Sequence, residues 1–199
     1  VWVGHFQAGL DYSLYQNGLF RTYAYPPQFN SANLSIRSFV NRGPEKVIGS
    51  RDGLFYINEA TGIVKSFVKP VLTSDLILTI CFYEGEYYIG TYGGGMMVLN
   101  PQTLSLKYFT QGDTELFQKG HIFCVKPDNR GNLWIGTSQG LFCYNGQTKQ
   151  IKNFTSTNSQ LPEGNVYEVS FDSTGKGWIA TETGMCIYDP ASQSLRSNV

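Results

Sequence analysis

One short phrase, an apolar pair followed by a small residue and usually a hydroxyl, returns five times along this chain. It stands at Trp2-Val3-Gly4, Val47-Ile48-Gly49-Ser50, Tyr88-Ile89-Gly90-Thr91, Trp134-Ile135-Gly136-Thr137 and Trp178-Ile179-Ala180-Thr181. From one small residue to the next the steps are 45, 41, 46 and 44 residues. A fixed period of this size is the mark of stacked supersecondary units, each unable to bury its apolar face alone. It excludes a single irregular domain.

The cleanest unit shows what is being stacked. Ile122-Phe123-Cys124-Val125 is a β-branched and aromatic run, closed by Asp128-Asn129-Arg130-Gly131, which has the composition of a tight turn. Leu133 to Thr137 makes a second strand, Ser138-Gln139-Gly140 a turn, Leu141 to Tyr144 a third strand, and Gln150 to Phe154 a fourth after Asn145-Gly146. The next unit repeats the plan, with strands at Val166 to Phe171, Gly177 to Thr181 and Gly184 to Tyr188. No ten-residue stretch carries apolar residues at helical spacing between caps, so helix content is expected to be close to nil. Four-stranded antiparallel meanders of about 40 to 45 residues are the sequence cue for β-propeller blades. The fold class is therefore all-β, a partial propeller of about 4.5 to 5 blades with repeats near 1–30, 31–72, 73–116, 117–160 and 161–199. In such a stack the motif Gly leaves room where strands crowd. Trp134 and Trp178 are both expected to fill the space between blades.

Fifteen Lys plus Arg balance fifteen Asp plus Glu, so the net charge is +0. The attraction that drives non-specific nucleic-acid binding is absent, and no nucleic-acid partner is expected. No apolar run reaches the roughly 20 residues of a membrane helix, and the first residues lack the pattern of a signal peptide. This segment is expected to make no membrane contact. Because Val1 falls inside a repeat, the chain reads as a piece of something longer, with any export signal or span outside it. Cys81, Cys124, Cys143 and Cys186 show neither a C-x-x-C pair nor zinc spacing, and each sits in an apolar run. They read as small buried hydrophobes, with Cys124 to Cys143 the pair to inspect for a disulfide.

Carboxylates that recur near glycines, Asp52, Asp128 and Asp172, invite a catalytic reading. Recurrence in unit after unit argues instead for backbone-bonding turn residues, since a catalytic group should be singular. His121 occupies the place Asn165 holds one unit later, a loop-to-strand junction rather than a metal site. Gly93-Gly94-Gly95 has no following Lys-Ser/Thr or helix, so it is no phosphate loop. No catalytic residue, metal or cofactor is expected.

The pattern Asp128-x-x-Gly131-x-Leu133-Trp134-Ile135-Gly136-Thr137-x-x-Gly140-Leu141-x-x-Tyr144 resembles the two-component regulator propeller repeat, as does Leu161-Pro162 followed by Asn165 and a strand. The likeness is strong in the last two units and partial earlier, through Gly49 to Tyr56, Gly90 to Gly95, Trp2-Val3-Gly4 and Ala8 to Tyr12. It implies the periplasmic sensor region of a Bacteroides-type hybrid two-component protein. There, propellers precede a membrane helix and a histidine kinase, and the ligands are oligosaccharides. The chain itself carries no kinase motif.

Propeller ligands generally lie where the loops before first strands and those joining second to third strands converge. In this sequence those loops offer His5, Gln7, Arg51, Tyr92, His121, Gln139, Asn165 and Glu182 as ligand-binding candidates, a set suited to sugar stacking and hydrogen bonding. Family propellers close with more blades, so the expected partners are the remaining blades, an oligosaccharide and, through an open blade face, a second copy of the chain. The competing arrangement is a five-bladed ring in which Ser197-Asn198-Val199 supplies a first strand beside Trp2. The competing functions are a protein-interaction module and, more remotely, a propeller lyase or glycosidase, for which no acid/base pair is visible.

Overall fold

The computed structural model describes residues 35–112 and 114–197, with the backbone alone at residue 114 and in strands at 2–5, 9–13 and 20–23. Among the described residues the strands form one three-stranded and four four-stranded antiparallel sheets, each a meander in which neighbours in sequence are neighbours in the sheet. The three-stranded sheet holds β1 (Trp2–His5), β2 (Gly9–Ser13) and β3 (Phe20–Tyr23). The second blade holds β4 (Ile36–Arg42), β5 (Glu45–Ser50), β6 (Gly53–Asn58) and β7 (Ile63–Phe67). The third holds β8 (Ile77–Tyr83), β9 (Glu86–Thr91), β10 (Met96–Asn100) and β11 (Ser105–Tyr108). The fourth holds β12 (Ile122–Pro127), β13 (Asn132–Thr137), β14 (Gly140–Asn145) and β15 (Ile151–Phe154). The fifth holds β16 (Val166–Phe171), β17 (Gly177–Thr181), β18 (Met185–Asp189) and β19 (Ser194–Ser197). First strands β4, β8, β12 and β16 pack in succession around one axis, which makes the assembly a partial propeller.

The repeated phrase explains how the blades stack. Its apolar residue before the small one faces the preceding blade: Leu133 and Ile135 share a core with Cys81, Tyr83, Tyr88 and Val98 of the third blade. Its small residue faces the next blade, where a Cβ on Gly90 would lie 2.7 Å from the Ile122 side chain and one on Gly136 2.7 Å from the Val166 carbonyl oxygen. The hydroxyl residue closes the turn after β5, β9, β13 and β17. Ser50, Thr91, Thr137 and Thr181 donate to the carbonyls of Gly53, Gly95, Gly140 and Gly184 at 3.0, 2.9, 2.8 and 2.9 Å. Blades are also clasped along the axis: the Ile80 N–H donates to Ser38 Oγ at 2.9 Å and the Val125 N–H to Thr79 Oγ1 at 3.3 Å.

Trp134 fills the seam between the fourth and fifth blades, fully buried, against Phe154, Phe171 and Tyr188. Its indole N–H donates to Asp128 at 2.9 Å, while the Asp128 carboxylate also accepts the Arg130 and Asn132 N–H groups. Asp172 likewise accepts the N–H groups of Thr174 and Lys176, so these two carboxylates are turn residues.

One expectation needs correction, and three further points are decided by the packing. Trp178 is 38% exposed, because it points to the outer face of the fifth blade, where no described element packs. A helix α1 (Thr114–Lys119) precedes the fourth blade. Six residues are too few to show a periodicity, and α1 draws its stability from Leu116 and Phe117, both buried between the third and fourth blades. The close approach of α1 also accounts for Gly95, where a Cβ would strike the Phe117 carbonyl. All four cysteines are free, three of them buried and Cys143 partly so. Cys124 on β12 and Cys143 on β14 are separated by β13, which at about 4.8 Å per strand exceeds disulfide reach. Finally, Ser197 pairs with Cys186 as part of the outermost strand of its own blade, so it supplies no first strand beside Trp2; residues 198 and 199 lie outside the described residues.

Candidate functional site

The end of the propeller where first strands begin carries a recurring irregularity. In β4, β8, β12 and β16 the register slips by one residue opposite the same part of the second strand. The extra residues are Arg37, Leu78, Phe123 and Tyr167. A bulge leaves its extra residue out of the ladder and re-aims the side chain, a device common beside binding sites. Because first strands pack against one another from blade to blade, these residues stand along the inner edge of the described blades.

Two of them join the candidates into one arc. Tyr92, in the turn after β9 and 51% exposed, stacks on His121 with ring centroids 4.0 Å apart. The His121 ring lies 6.2 Å from Phe123, and Phe123 meets Tyr167 edge to face at 5.2 Å. The Asn165 side-chain amide then donates to the Tyr167 hydroxyl and to Glu182 Oε2, both at 3.1 Å. The arc thus spans three blades. α1 delivers His121 to its place, since the Gly95 N–H donates to the Gly120 carbonyl at 2.9 Å. His121 Nδ1 is buried without a hydrogen-bond partner among the described residues.

Of the eight residues named from sequence, four lie in this arc, namely Tyr92, His121, Asn165 and Glu182. Arg51 and Gln139 sit exposed in the corresponding turns of the second and fourth blades. The side chain of His5 and the whole of Gln7 lie outside the described residues. Phe123 and Tyr167 were missed, because a strand such as Ile122-Phe123-Cys124-Val125 reads as uniformly apolar and hides the bulge. A signal existed: the residue after each opening Ile or Val changes from Arg37 to Leu78, Phe123 and Tyr167 from blade to blade, while the opening residue itself stays aliphatic.

Chemically the arc offers flat ring faces, one carboxylate, two phenols and one amide. It offers no activated nucleophile. Burial pushes the Cys124 thiol up to about 12 and the Cys81 and Cys186 thiols up to about 11, far from thiolate chemistry at neutral pH. Among the described residues no group of three or more His, Cys, Asp or Glu could hold a metal.

The family model described as "Two component regulator propeller" matches residues 117–139, the stretch from α1 through the Trp134 strand to the following turn. Over these residues the chain is similar to the two-component regulator propeller repeat. Over its whole length it also superposes on the extracellular domain of a protein described as a hybrid two-component system, BT3049 of B. thetaiotaomicron, with 26% identity and a TM-score of 0.72. It spans only 27% of that structure. The extracellular domain of BT4673 from the same organism is matched over 100% of this chain and 31% of that one, with 18% identity and a TM-score of 0.71. A structure described as YCF48 bound to D1 peptide covers 98% of this chain, with 62% of its own length matched, 13% identity and a TM-score of 0.69. The last two likenesses show the fold alone. No curated protein matches the sequence.

Proposed function

We propose that this chain is the ligand-sensing part of an extracytoplasmic two-component sensor, that it lies in the periplasm, and that it responds to oligosaccharides. On this reading the signal passes to a histidine kinase elsewhere in the parent protein, and the segment itself is not an enzyme. The observation that carries the ligand assignment is the arc from Tyr92 through His121, Phe123 and Tyr167 to Glu182. Sugars bind by laying the apolar face of a pyranose on an aromatic ring while their hydroxyls find acidic and amide acceptors. The likeness to the BT3049 extracellular domain supports the sensory role and the location.

Binding alone signals nothing unless the ligand prefers one arrangement of the sensor. An open blade face offers such an arrangement through the remaining blades or a second copy. Calorimetric titration with neutral and acidic oligosaccharides, repeated on Tyr92→Ala and Tyr167→Ala, tests the proposal. Micromolar heats weakened tenfold or more in both variants are expected, whereas affinities unchanged by both would remove the arc as the site. The exposed fifth-blade face, with Trp178 and Met185, favours a second reading as a protein-interaction module. A chain that stays monomeric at high concentration would count against it.

A further inference from the structure

We propose that the corner between the fourth and fifth blades is a subsite for a neutral sugar unit, and that Glu182 makes it reject a sugar acid; this rests on the oligosaccharide reading above. The bulge in β16 places Tyr167 here, 44% exposed, and its ring meets Phe123 of the neighbouring blade. Beside this pair Asn165 acts as a clamp. Its backbone N–H and its side-chain amide both donate to Glu182 Oε2, at 3.3 and 3.1 Å, and the Glu182 N–H donates back to the Asn165 carbonyl at 2.9 Å.

The clamp fixes the carboxylate in one orientation and commits one of its oxygens. Glu182 Oε1 and Asn165 Oδ1 carry no hydrogen bond among the described residues. Two acceptors are thus held beside an aromatic face, an arrangement that fits two neighbouring hydroxyls of a pyranose whose C–H face lies on Tyr167. Preorganisation matters, because an acceptor already held in place costs no further ordering when the sugar arrives. A carboxylate on that same sugar would instead meet a like charge. Glu182 takes part in no ion pair among the described residues that would offset it. At a few ångströms near the surface such a repulsion is worth about tenfold in affinity at low salt and fades as salt screens it.

Matched tetrasaccharides test this directly: β-1,4-linked manno-, gluco- and galacto-tetraose, each titrated beside its C6-oxidised uronate counterpart at low salt. The neutral member of the pair that binds is expected to be about tenfold tighter, with the gap closing in half-molar salt. Glu182→Gln should weaken the neutral ligand about tenfold and bring the acidic one level with it, since the amide keeps one acceptor and loses the charge. Tyr167→Phe, which keeps the ring and removes one partner of Asn165, should weaken the neutral ligand by less than Tyr167→Ala. Circular dichroism confirms that each variant is folded. A uronate that binds as well as its neutral partner, or a Glu182→Gln chain with unaltered selectivity, overturns the subsite while leaving oligosaccharide sensing intact. Silence towards all six sugars in a folded chain overturns both.

Discussion

Truncating Trp134 and Trp178 to alanine, one at a time, separates local sequence from packing, because both occupy the same place in the same repeated phrase. Trp134 is fully buried between two blades, with Tyr188, Phe171 and Phe154 at ring distances of 4.6, 5.6 and 5.8 Å. Its removal leaves a closed cavity, and buried Trp→Ala changes cost about 3–5 kcal/mol. The indole bond to Asp128 adds about 1 kcal/mol. Trp178 leaves no closed cavity: it is 38% exposed, with Lys176 lying 5.4 Å over its ring. Only partial burial is lost there, about 1–2 kcal/mol. Denaturant unfolding followed by far-ultraviolet circular dichroism at low protein concentration should therefore show Trp134→Ala losing about 3 kcal/mol more than Trp178→Ala. Equal losses would refute the argument, and would mean that another surface covers the fifth-blade face.

Gly136→Ala should destabilise by about 1–3 kcal/mol in the same assay, since the new Cβ would lie 2.7 Å from the Val166 carbonyl oxygen and would push the fifth blade away. Gly131→Ala, where nothing stands within 4 Å but φ is +78°, should cost less, about 1 kcal/mol of backbone strain. The buried thiols predict a pH dependence of definite sign. Folding raises Cys124 from 9.0 to about 12, so this stabilisation is whole below pH 9 and is lost as pH rises from 9 towards 12, where the unfolded chain ionises first. Cys81, Cys143 and Cys186 act in the same direction, and stability constant from pH 8 to 11 would refute the burial. Aromatic disulfide reagents at pH 8 should label the native chain slowly, with Cys143 first, and label all four cysteines after denaturation. If the open fifth-blade face drives self-association, Met185→Lys should lower the mass seen by light scattering at high concentration without changing the far-ultraviolet spectrum.

Much of the architecture was legible because its causes are local. The turn carboxylates Asp128 and Asp172 and the apolar runs that form the strands act within one repeat, and the small residue of the phrase recurs with them. Their recurrence therefore announces both the blade and the stack. The candidate site was only half legible. Tyr92, His121, Asn165 and Glu182 stand in loops, where a polar or aromatic residue declares itself. Phe123 and Tyr167 stand in strands, where a one-residue slip reverses the side on which a residue points, and no tally of apolar residues reveals such a slip.

The sequence by itself determined the period, the strand order within each blade and the turns that close them, since these follow from contacts only a few residues apart. The tertiary structure alone decided which Trp is buried, why two cysteines of one blade cannot meet, where a six-residue helix gains its stability, and that residues from three blades form one arc. Each of these depends on which blade face meets a neighbour and on distances across the sheet, quantities set by packing between units rather than by the order of residues within one.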